Sequence, residues 1–280
     1  MMVNFDNCWT EAPSSLLWVM AFFIAWAGCW LPVAIVCAIA LDWRPSKPLA
    51  AEQKLPLLVS LYLVAPLALW GVNWLIGASF SDYGFAWNLW ILSSAGVGFG
   101  FGVLSMTVLF GSQIALGWVA WQPIDRQRMA SVLPTTLLLA LWVSGTEELV
   151  FRGFVLTQLL QDYQIWLAAA ISSLIFALLH LVWERRETMP QLPGLWLLGM
   201  VLVLARYVDG GSLGLAWGLH AGWVWAIASL DSAQIINYTG TSSEWITGKA
   251  GKPLAGAVGI LCLLATAGII WLFSPLVQSP

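Results

Sequence analysis

Long charge-free intervals alternate with short polar clusters along this chain. No Asp, Glu, Lys or Arg occurs between Glu11 and Asp42, Lys54 and Asp82, or Asp82 and Asp125. The same holds between Arg128 and Glu147, Asp162 and Glu184, Glu187 and Arg206, Asp209 and Asp231, and after Lys252. A helix that crosses a bilayer needs about 20 mostly apolar residues. The pattern therefore predicts eight spans, over 15–41, 55–77, 88–118, 130–158, 164–183, 193–208, 211–230 and 253–273. Pro32 falls inside the first and predicts a kink there. The fold class is an all-α polytopic membrane protein with about eight transmembrane helices.

Composition narrows the choice further. Of 280 residues, 60% are hydrophobic and 9% are charged, against about 25% charged in an ordinary soluble domain. Twenty are tryptophan, and the mean hydropathy is +0.83. These values exclude a soluble globular protein, a disordered chain and a coiled coil. Eleven Lys and Arg against fourteen Asp and Glu leave a net charge of -3 with no basic stripe, so nucleic acid is not an expected partner. The chain reads as one integral-membrane domain over 1–280, without a soluble domain, a repeat, or a linker longer than the 231–252 loop. Its first eleven residues hold Asp6 and Glu11 and no basic residue, unlike a secretory signal. Cys8, Cys29, Cys37 and Cys262 are scattered, with no paired spacing. They indicate neither a disulfide framework nor a thiolate metal site.

Basic residues give a sidedness. Arg44, Lys47 and Lys54 lie in the first loop, Arg126 and Arg128 in the third, Arg185 and Arg186 in the fifth, and Lys249 and Lys252 in the seventh. The second and fourth loops and both termini have none. Odd loops are then expected in the cytoplasm and both termini outside it. Gly96, Gly98, Gly100 and Gly102 form a run in the third span, read as close helix packing in preference to a hinge.

Ionisable groups inside a span are costly and mark candidate sites. The fourth span holds Glu147, Glu148 and Arg152. The chain's two histidines, His180 and His220, sit in the fifth and seventh. Residues four apart share a helix face, so Glu148 and Arg152 can pair. Glu147 points about 100° away and lacks that partner. One carboxylate is then tied up and the other is free to act as a general base. Neutral imidazoles can orient a water, bind a metal or support a developing oxyanion. Phe176 and Trp223 read as packing residues. Independent structural uses remain an alternative for each group, but gathering all of them on three interior helices favours a shared site.

The pattern Glu147-Glu148-x-x-x-Arg152, then Phe176-x-x-x-His180, then His220, resembles the CPBP family of CAAX-protease and bacteriocin-processing (Abi) membrane proteins. That family is similar to the type II CAAX prenyl endopeptidase. The resemblance is firm over about 130–230 and extends loosely through Gly248 to Gly256. It implies an intramembrane endopeptidase acting on a peptide or protein substrate within the lipid bilayer. Glu147 matches the residue that activates water, assisted by His180. His220 matches the residue that stabilises the oxyanion. Glu148 and Arg152 match those that hold Glu147 in place. Either Glu147, His180 and His220 ligate a divalent metal such as zinc, leaving a position for water, or a metal-free glutamate–histidine pair works alone. The family's third motif often carries asparagine one turn after its histidine, where this chain has Val224. The absence of HExxH, a GxSG serine motif and GxGD argues against other protease classes. Two rival functions remain: a non-catalytic membrane binding or scaffold protein that uses the same pocket, and a small transporter. No inverted repeat supports the latter.

Overall fold

The computed structural model describes residues 14–44, 50–123, 125–183 and 185–277. Cys8, Asp6, Glu11, Lys47 and Glu184 lie outside the described residues. Among the described residues, eight long helices follow one another in the expected order. They are α1 Ser15–Ala40, α2 Ala51–Ile76, α3 Leu89–Ala115, α4 Arg126–Leu159, α5 Ile165–Leu179, α6 Leu192–Val208, α7 Gly214–Ala233 and α8 Ala257–Val277. The helix α1 continues through Pro32. Two short strands, β1 Val119–Trp121 and β2 Ile236–Tyr238, pair antiparallel.

Local chemistry sets the starts. Asn88 caps α3 by accepting from the Ile91 amide at 3.0 Å, and Asp125 caps α4 by accepting from the Gln127 amide at 2.9 Å. Gly77, at φ 71°, ends α2, a left-handed turn that glycine adopts without steric cost.

Among the described residues, seven helices are long and apolar enough to cross a membrane. The remaining expected span, the seventh, is α7; it is long enough at 20 residues but is not one of these. It carries His220, Asp231 and several glycines, and most of its first half is buried by neighbouring helices. A span wrapped by protein does not need a lipid-compatible surface on every side.

Contacts between loops show a consistent sidedness. The β1–β2 pairing brings the third and seventh loops together, and Met189 and Pro190 of the fifth loop share a cavity with Glu244 and Lys249 of the seventh. On the other face, the Leu213 amide of the sixth loop donates to the Gly84 carbonyl of the second at 2.9 Å. There too the Ser15 amide, at the start of α1, donates to Asp162 of the fourth loop at 2.7 Å. The third, fifth and seventh loops therefore share one face, and the start of α1 lies on the opposite one.

The seam between α3 and α7 is closely packed, and the glycine run divides by helix face. A Cβ on Gly102 would lie 2.5 Å from the Leu219 carbonyl oxygen, and one on Gly222 2.6 Å from that of Phe99. Gly98 and Gly218 are equally closed off, against Leu215 and Ala95. Gly96 and Gly100 meet nothing within 4 Å. Packing accounts for two of the four glycines in the run, and the other two lie on the opposite face. Several hydrogen bonds bind α7 to α4. Trp217 Nε1 donates to the Leu141 carbonyl at 2.9 Å, Trp225 Nε1 to that of Leu133 at 3.0 Å, and the Thr136 and Ser229 hydroxyls meet at 2.8 Å. Held on both sides, α7 has a fixed azimuth, and that azimuth aims His220.

Candidate active site

The site begins with a break in helical regularity. From Glu148 to Val155 the α4 backbone widens into a π-helix, flanked by α-helix up to Glu147 and again from Leu156. Such segments recur at functional sites. Every side chain of this one is buried. The sequence Glu-Leu-Val-Phe-Arg-Gly-Phe-Val shows no sign of it, and the widening is supported from outside. Ser172 on α5 donates to the Phe151 carbonyl at 2.8 Å. Arg206 on α6 donates through Nη1 to the Arg152 carbonyl, reaches Thr157 Oγ1 at 3.2 Å, and donates through Nε to the Gly211 carbonyl at 3.1 Å.

Glu148 and Arg152 form the expected pair, with Arg152 Nη1 donating to Glu148 Oε1 at 3.1 Å and both side chains fully buried. The same Oε1 accepts from His220 Nδ1 at 2.7 Å. A carboxylate oxygen accepts, so Nδ1 carries the proton and the other ring nitrogen faces away from Glu148. His220 Nε2 lies 3.6 Å from Glu147 Oε2. One imidazole therefore bridges both glutamates, a link that helix geometry on α4 alone did not reveal.

Glu147 has a partner after all. The Tyr62 hydroxyl, on α2, donates to Glu147 Oε1. The expectation of an untethered carboxylate is corrected to one with a single oxygen engaged. The available signal was a tyrosine hydroxyl in the middle of an apolar span, but nothing local connects residues 85 positions apart.

His180 stands to one side. Its Nδ1 is 2.8 Å from the Phe176 carbonyl. That oxygen can only accept, so Nδ1–H donates and Nε2 is left for another partner. Among the described residues no hydrogen bond joins His180 to Glu147 or His220. The Phe176 ring connects them instead, edge-on to His180 at 4.6 Å and to His220 at 6.1 Å between centroids. The Arg152 guanidinium lies over that ring at 4.3 Å. Phe176 thus touches three polar groups as well as packing in the core. Trp223 is buried and donates through Nε1 to Ser105 Oγ at 2.8 Å, fastening α7 to α3.

Glu147, His180 and His220 do not assemble into a three-ligand set. Among the described residues no group of three His, Cys, Asp or Glu side chains is placed to hold a metal ion. The donor geometry does not fit the metal site that the resemblance allowed, and no chemical step is derived through one. Val224, one turn beyond His220, brings no hydrogen-bonding side chain.

No curated protein and no solved structure matches the chain. The stretch that builds most of this site does match a family model, and it ends before Gly248–Gly256. Residues 129–226, which hold both glutamates, Arg152 and both histidines, match the family described as type II CAAX prenyl endopeptidase, Rce1-like, the relationship expected from the three motifs.

Proposed function

We propose that this protein is a membrane-embedded endopeptidase in which Glu147 activates water for attack on a peptide carbonyl. The observation that carries the reading is the buried chain Glu147–His220–Glu148–Arg152. Glu147 Oε2 accepts a proton from water as the oxygen adds to the carbonyl carbon. The same proton is then delivered to the departing amine. His220 Nε2 borders the same space; carrying a proton on both ring nitrogens, with Glu148 balancing the charge, the imidazole donates from Nε2 to the oxygen on which negative charge develops. Glu148 holds the imidazole through Nδ1, and Arg152 balances Glu148. His180, with Nδ1 committed to Phe176, has Nε2 left to orient the water. Glu147, His180 and His220 are the proposed catalytic residues, and Glu148 and Arg152 the supporting ones.

The face with the basic loops is proposed as cytoplasmic, which places both termini outside. The substrate class follows the matched family: a peptide near a prenylated cysteine, held at the membrane by its lipid. The test uses purified protein in proteoliposomes with an internally quenched farnesylated CAAX peptide. The expected product is the released C-terminal tripeptide, identified by mass. Intact peptide after prolonged incubation with folded protein would refute the reading and favour the pocket as a binding site only.

A further inference from the structure

Both oxygens of Glu147 cannot serve the same purpose. A glutamate side chain ends in a broad, roughly two-fold torsion, so an unrestrained carboxylate presents either oxygen to its surroundings. Here Oε1 accepts from the Tyr62 hydroxyl, and Oε2 lies 3.6 Å from His220 Nε2. The two oxygens point at different helices, α2 and α7.

The aim of Tyr62 is itself fixed. Trp26 Nε1 on α1 donates to the carbonyl of the preceding residue, Leu61, at 3.0 Å. One turn away on α1, Trp30 Nε1 donates to the Ser60 hydroxyl at 3.0 Å. These two indoles clamp the turn of α2 that carries Tyr62 and set its rotation. A phenol at this depth needs a partner, because lipid supplies none, and among the described residues that partner is Glu147. The helix α2 lies outside the matched stretch 129–226, so this contact comes from a part of the chain that the family comparison does not reach.

We infer that Tyr62 is a positioning residue of the site, holding Glu147 by Oε1 so that Oε2 is the oxygen presented to water beside His220. The inference rests on the proposed endopeptidase reading and adds α2 to the working parts of the site. The competing use of the same contact is a tether that merely fastens α2 to α4. The two differ in what removing one oxygen atom changes. A tether lowers stability and leaves turnover intact, whereas a positioning contact lowers turnover at unchanged affinity.

The experiment compares wild type, Tyr62→Phe and Glu147→Gln in proteoliposomes with the quenched farnesylated peptide. Thermal midpoints in detergent are measured on the same samples. Phenylalanine keeps the ring and removes only the donor. The expected result for Tyr62→Phe is a kcat lowered by about 10- to 100-fold, in the range that misplacing a reacting group produces. KM and thermal midpoint stay close to wild type. If Tyr62→Phe turns over like wild type, or loses only stability, the inference is overturned while the endopeptidase reading stands. If wild type cleaves nothing, that reading fails and the positioning role goes with it. Infrared spectra then still decide whether the contact exists: the carboxylate band lost in Glu147→Gln should move in Tyr62→Phe, and an unmoved band rules the contact out.

Discussion

The α3–α7 seam offers a sharp test, because one methyl group there should disturb chemistry several residues away. At Gly102 a Cβ would meet the Leu219 carbonyl oxygen at 2.5 Å, where real Cβ atoms essentially never come closer than 3.0 Å. In Gly102→Ala the helices must therefore part by about 0.5 Å or more. Overpacking of this kind typically costs about 1–3 kcal/mol. Leu219 is the residue before His220, so the displacement passes directly into the imidazole that bridges Glu147 and Glu148. Misplacement near 1 Å can lower turnover about 100-fold; a shift half that size should still cost on the order of 10-fold. Gly100→Ala is the matched control, with nothing within 4 Å of its Cβ position. Its stability should stay within about 0.5 kcal/mol of wild type. The assay pairs SDS-induced unfolding with turnover of the quenched peptide for both variants. Equal behaviour of Gly102→Ala and Gly100→Ala would refute the argument that the seam aims His220.

Other perturbations have equally definite outcomes. Arg152→Met leaves Glu148 buried without its counter-charge and should cost about 3–5 kcal/mol, read as a lowered unfolding midpoint. Adding Glu148→Gln should restore much of that stability without restoring cleavage, because His220 loses its carboxylate partner. Arg206→Met removes donors from the Arg152 carbonyl and Thr157. It should cost about 1.5–3 kcal/mol, the usual range for charged hydrogen bonds, and reduce turnover by letting the π segment relax. At the membrane surface, the Ser15 amide holds the Asp162 carboxyl below the usual carboxylate range. A depressed folded-state value stabilises above the ordinary carboxylate range, and the effect fades as pH falls through the folded value. On acidification the thermal midpoint of wild type should drop more than that of Asp162→Asn, and parallel curves would contradict the assignment.

The legible parts of the sequence were those in which one residue type acts alone. Charge-free intervals placed all eight helices, because a charge in lipid is costly wherever it falls. The spacing of Glu148 and Arg152 revealed their pairing, since four residues share a face in either helix form. Longer-range features could not be read locally. The π segment depends on Ser172 and Arg206, contributed by two later helices. Tyr62 looks like any tyrosine in an apolar span until α2 is seen against α4. The bridging role of His220 needs the azimuth of α7, which the glycine seam and three tryptophans set together. The structure sets Glu147 and His220 side by side, and among the described residues no hydrogen bond joins His180 to either.

Replacing Glu147 by glutamine provides the most direct test, since it keeps size and polarity while removing the group that accepts the proton. With Glu147→Gln purified, shown by its thermal transition to be folded, and given the quenched farnesylated peptide in proteoliposomes, turnover should fall by at least about 100-fold, the lower bound for losing a general base. Cleavage by that variant at the wild-type rate would contradict the account.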